Sequence, residues 1–220
     1  MMRSIRLMSA PWVDAEHGPM APVPSSAPWH RSNDPAWEDM IRGKHVLYFA
    51  LQPPPEAQAL ALALAEAARA KHRLGAKPAA PARLHVSLNY VGDFKRPPGP
   101  VIDKALEAAG NVAARRFVVE FNRLGTWPAG DPAPVVLWGD EGVIGVNALY
   151  STIHKALAKP GMVPRREAEI VPHMTLIYDK AQVPETFIEP LGWRVEEFVL
   201  IHAVHGEGRF DVVGRFPLSG

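Results

Sequence analysis

The sequence predicts an α+β fold: two pseudo-symmetric lobes, each an antiparallel-rich sheet flanked by helices, facing each other across a central cleft. Three observations predict it. The order strand, helix, strand occurs twice, at 46–51, 56–72, 83–91 and again at 134–139, 143–158, 170–178. The last strand of each set alternates in side-chain character, the period-2 signature of a strand with two different faces. The step from Val46 to His85 (39 residues) nearly equals the step from Val135 to His173 (38 residues).

The elements follow in chain order. His45 to Leu51 (HVLYFAL) is a short apolar run suited to a buried strand. Pro53-Pro54-Pro55 opens a helix, where proline is tolerated. Glu56 to His72 is rich in strong helix formers, with Leu60, Leu64 and Ala68 as its apolar stripe and Gly75 and Pro78 as its stop. Arg83 to Val91 (RLHVSLNYV) sets Leu84, Val86, Leu88 and Tyr90 on one strand face and His85, Ser87 and Asn89 on the other. A helix over 101–114 and strands over 116–124 and 134–139 come next. Val146, Leu149, Ile153 and Leu157 align on a helix over 143–158, which Lys159-Pro160-Gly161 ends. Ile170 to Tyr178 (IVPHMTLIY) alternates again, with His173 and Thr175 on one face. The remainder reads as a loop and then two strands, near 197–205 and 210–216.

Residues 1–42 differ from the rest. Six prolines interrupt them and no helical or alternating period survives, so they read as a Pro-rich extension, partly disordered or pinned to the surface by Trp12, Trp29 and Trp37. Residues 43–220 read as one domain. The composition is that of a globular chain, 47% hydrophobic and 21% charged. A net charge of +1 gives no global pull on nucleic acid, so any anionic ligand must be held locally. With no cysteine, disulfides, thiolate–zinc sites and Cys nucleophiles are excluded. There is no HExxH string, Walker-type loop or dinucleotide fingerprint, so no metal and no cofactor are expected. No apolar run of signal-peptide or membrane-span length is present, and the chain is expected to be cytoplasmic and monomeric, with no membrane or protein partner.

His85-Val86-Ser87 and His173-Met174-Thr175 carry the chemistry. Two such strands meeting would join two imidazoles and two hydroxyls. One neutral His can take a proton from an attacking oxygen while the other, protonated, gives one to a leaving oxygen. The hydroxyls can donate to the non-bridging oxygens of a phosphate. His202 and His205 read as structural or surface residues, and His154 follows the polar face of its helix.

These strings resemble those of the two-histidine phosphoesterases, and within them the bacterial RNA 2′,3′-cyclic phosphodiesterases, also called 2′-5′ RNA ligases. LYFALQPP at 47–54, RLHVSLNYVGDF at 83–94, VLWGD at 136–140, VPHMTLIYD at 171–179 and GRFDVVGRFPL at 208–218 are similar to successive blocks of that family. The resemblance implies metal-independent hydrolysis of 2′,3′-cyclic phosphate ends of RNA or oligonucleotides to a 2′-phosphate, reversible as 2′-5′ ligation. It implies His173 as general base, His85 as general acid, Ser87 and Thr175 as phosphate holders, and Tyr90 as a base-stacking ring. Asn89 shares the strand face of His85, and Arg165 and Arg166 precede the second motif; all three are candidate substrate contacts. Two positions depart from the family pattern: Tyr178 and Val135 stand where relatives often carry Arg. That keeps two alternatives open, a nucleotide- or RNA-end-binding module with little turnover, and a phosphodiesterase of small cyclic nucleotides.

Overall fold

The computed structural model describes residues 43–128, 131–163 and 169–220. The N-terminal extension, Arg165 and Arg166 lie outside the described residues. The elements are β1 (His45–Leu51), α1 (Pro55–His72), β2 (Val86–Phe94), α2 (Gly99–Gly110), β3 (Phe117–Thr126), β4 (Ala133–Trp138), α3 (Ile144–Ala158), β5 (His173–Asp179), β6 (Thr186–Val195), β7 (Glu197–Val204) and β8 (Arg209–Pro217). A short 3-10 turn, Pro81–Arg83, leads into β2.

All strand pairings are antiparallel, in the order β6-β3-β4-β5-β2-β1-β7-β8. The two expected lobes are the two four-stranded halves of this order. They join through one register pair, Val86 with Met174, so the two sheets are continuous at a narrow seam. The order is a palindrome of roles: β2 and β5 meet at the seam, β1 and β4 stand behind them, and the outer strands follow. The helices bind the halves together. α1, from the first half, packs on β5 and β6; α3, from the second, packs on β2 and β3.

β1 is buried along its whole length because it lies between β2 and β7 and both its faces are covered. Leu47, Phe49 and Leu51 enter the main core under the helices, while Val46, Tyr48 and Ala50 join Val199 and Ile201 in a smaller cluster on the other face.

Some expectations are corrected. The stripe by which α1 meets the sheet is Ala57, Ala61, Ala65 and Ala68, and Leu60 is 58% exposed. Alanine lets the helix axis approach the strands closely, so small size, not hydrophobic bulk, marks the buried face. The helix stops at Arg73, in the left-handed region at φ 56°. Residues 186–195, expected as loop, form edge strand β6, with Leu191, Trp193 and Val195 buried on alternate positions. Pro190 fits there because an edge strand has a free side that needs no donor. His154, expected on the polar face of α3, is buried. His202 is buried too, with its Nε2 3.0 Å from His45 Nδ1.

Candidate active site

The seam decides the geometry of the site. Val86 and Met174 face each other across it, and both side chains are fully buried in the main core. Side chains alternate along a strand, so the residues flanking this pair point to the opposite face. Those residues are His85, Ser87, His173 and Thr175, all half-buried. Two strings 88 positions apart thus share one patch of surface.

Each imidazole is held in the same way. Nδ1 of His85 lies 2.7 Å from the carbonyl of Arg83, and Nδ1 of His173 lies 2.8 Å from the carbonyl of Val171. A carbonyl can only accept, so Nδ1 carries the hydrogen in both rings and Nε2 is left to react. Aromatic walls limit ring motion further. His85 sits between Tyr48 and Phe210, with ring centres 5.4 and 5.5 Å away. His173 lies against Trp127, at 4.3 Å.

Burial pushes the pKa of both imidazoles below the ordinary value, opposed in each case by the backbone hydrogen bond. Two positive neighbours lower His85 further: His173 when charged, and the Arg83 guanidinium. The imidazoles therefore repel each other's protons, and a pair sharing one proton is favoured over a doubly charged pair.

Immediately after each hydroxyl residue the strand bulges. Tyr48 faces Tyr90 and Ala50 faces Ser87, so β2 spends one residue more than β1 over that stretch. Val135 faces Ile177 and Val136 faces Thr175, so β5 does the same against β4. An extra residue reverses the alternation beyond it. Tyr90 therefore packs with Tyr48 on the histidine face, although strict alternation places it with Leu88. Burial holds its phenol protonated, and the hydrogen bond its hydroxyl donates to the Asp93 carboxylate adds to this. Tyr178 turns toward the same face, 43% exposed, its hydroxyl hydrogen-bonded to that of Thr175.

The bulge also corrects the placement of Asn89. Its side chain does not line the cleft: it is buried against α3, with Nδ2 donating to the Tyr150 carbonyl at 3.3 Å. Val135 is a main-core residue. Sequence reasoning missed Tyr48, Trp127 and Phe210, which arrive from other strands and a loop. It also missed a legible signal, because both strings extend to His-x-Ser/Thr-Leu-x-Tyr, at 85–90 and 173–178.

Two strand-borne imidazole–hydroxyl pairs on one face of a two-halved antiparallel sheet define the two-histidine phosphoesterase class of fold. The family model described as the 2′-5′ RNA ligase superfamily matches residues 53–207, and the chain belongs to that superfamily. Solved structures carry the same fold. A protein of Thermus thermophilus, TT0787, is 23% identical with a TM-score of 0.63, over 80% of this chain and 98% of its own. A structure described as a phosphoesterase is 23% identical with a TM-score of 0.62, over 80% of this chain and 99% of its own. E. coli LigT without ligand is 24% identical with a TM-score of 0.58, over 80% of this chain and 98% of its own. No curated protein matches the chain. Among the described residues, no helix is long and apolar enough to cross a membrane.

Proposed function

We propose that this chain hydrolyses the 2′,3′-cyclic phosphate at the end of an RNA or oligonucleotide, leaving a 2′-phosphate and a 3′-hydroxyl. The observation that carries the reading is the common face of His85, Ser87, His173 and Thr175, with neither Nε2 atom committed to a hydrogen bond among the described residues.

The reaction divides between the halves. Water attacks phosphorus on the side opposite the 3′-oxygen. Nε2 of His173 takes its proton as the new P–O bond forms. The P–O3′ bond breaks, and the proton on Nε2 of His85 goes to the departing oxygen. The sum is one water added; the proton then returns from His173 to His85 through solvent. Ser87 and Thr175 donate to the non-bridging oxygens, where charge builds. An anionic phosphate between the rings opposes the effect of burial and favours the singly protonated pair that this division needs. The roles of acid and base follow the family resemblance. With a 5′-hydroxyl in place of water as the nucleophile, the same steps form a P–O5′ bond as P–O3′ breaks and leave a 2′-5′ linkage and a 3′-hydroxyl. E. coli LigT has been solved with 3′-AMP and with phosphate, which supports a nucleotide phosphate as the ligand class.

The test is an end-group assay. RNA ending in a 2′,3′-cyclic phosphate is incubated with the protein and the terminus is read by phosphorus NMR. The expected product is a 2′-monophosphate. An unchanged terminus refutes the reading, as does turnover by His85→Ala or His173→Ala that matches the unchanged chain.

A further inference from the structure

A pseudo-symmetric site offers a phosphate nearly the same groups on both sides, so something else must decide which way the substrate lies. We propose that Arg83, set over the Phe210 ring at the His85 end of the site, binds the backbone phosphate of an oligonucleotide and directs the RNA strand to that side. This rests on the phosphodiesterase reading above and names the substrate as a strand rather than a single nucleotide.

The asymmetry lies two residues before each histidine. Arg83 and Val171 do the same backbone work, each accepting from Nδ1 of its histidine, but only one has a charged side chain. Arg83 is exposed at the end of the 3-10 turn. Its guanidinium carbon is 6.0 Å from the centre of the Phe210 ring, which is in turn 5.5 Å from the His85 ring. The guanidinium and the His85 ring therefore share Phe210 as a common neighbour. The β7–β8 turn passes close by: a Cβ added to Gly208 would sit 4.0 Å from Nη2.

Among the described residues no carboxylate pairs with Arg83. The neighbouring cations are occupied: Lys44 is paired with Glu207 and Arg209 with Asp211. A planar fork resting on an aromatic ring keeps its donors free for a phosphate. The direction agrees with the chemistry. The departing 3′-oxygen belongs to the ribose of the RNA itself, so the strand leaves on the side of the acid, His85. With a net charge of +1, the chain has no general attraction for RNA that would hide the contribution of one cation.

Arg83→Gln and Arg83→Lys test this; the substitutions keep the backbone carbonyl that holds His85. Binding of a fluorescein-labelled RNA ending in a 2′,3′-cyclic phosphate is measured across a salt series. The slope of log affinity against log salt is expected to become shallower by about 0.7 in Arg83→Gln, one phosphate contact on a single strand, and to stay at the unchanged chain's value in Arg83→Lys. The ratio of kcat/KM on that RNA to kcat/KM on a mononucleoside 2′,3′-cyclic phosphate should fall about fivefold in Arg83→Gln, through KM. An unchanged salt slope in Arg83→Gln overturns the proposal. Failure of the unchanged chain to turn over either substrate refutes the phosphodiesterase reading instead, and the binding slope still decides the role of Arg83.

Discussion

The β2 and β5 half-sites carry the same six-residue pattern, yet their surroundings differ. Both strands fix the histidine through the carbonyl two residues back, both present a hydroxyl on the same face, and both bulge before a tyrosine. There the likeness stops. His85 is enclosed by Tyr48 and Phe210 and lies in the field of Arg83, whereas His173 rests on Trp127 and is lowered by burial, with its backbone hydrogen bond opposing. Tyr90 is half-buried and tied to Asp93; Tyr178 is exposed and tied back to Thr175. A repeated string thus sets tautomer and direction, while neighbours from distant segments set charge and access. That is how two nearly equal halves come to hold their histidines in unequal surroundings.

The largest expected effect tests whether the halves differ in role. His85→Ala and His173→Ala should each lower kcat by about 10²–10⁴. The unchanged chain should show a bell-shaped pH profile, and the two variants should lose opposite limbs of it. Loss of the same limb by both would break the comparison. Next is the seam that both halves need. Met174 is fully buried opposite Val86, so Met174→Ala should cost about 2–5 kcal/mol, read by urea unfolding.

A smaller effect separates the tyrosines. Tyr178→Phe removes the partner of the Thr175 hydroxyl and should lower kcat/KM about two- to tenfold, the range of one neutral hydrogen bond. Tyr90→Phe removes a bond to Asp93 and none to Ser87 or Thr175, and should change it less. Equal losses would show that the halves are alike here too. The smallest effect is on stability. Burial holds His85, His173 and His202 below the ordinary histidine value of 6.5, so as pH falls the unfolded chain takes up these protons first. Their contribution is present above about pH 6.5 and is lost as pH falls through it toward the folded values. The urea midpoint should be lower at pH 5.5 than at pH 8, and the difference should shrink in His85→Asn.

Much of the site was legible because period-2 alternation is a local property. It put His85 with Ser87 and His173 with Thr175. It misplaced Asn89 and Tyr90 for one reason: a bulge is set by what the neighbouring strand offers, and the strand's own sequence does not record the extra residue. The α1 stripe was misread because leucine outweighs alanine in any hydrophobic count, while close packing on a sheet favours the smaller side chain. His154 was misread because a histidine on a helix looks polar until a neighbouring element covers it.

The sequence by itself determined the two His-x-Ser/Thr strands, the helices between strands and the pairing of like halves, because these depend on side-chain periodicity within a few residues. Only the tertiary structure decided that the halves meet at Val86 and Met174, that Trp127, Tyr48 and Phe210 wall the imidazoles, and that Arg83 stands on one side alone. Those depend on contacts between segments far apart in the chain, and local periodicity carries no information about which distant surfaces will bury one another.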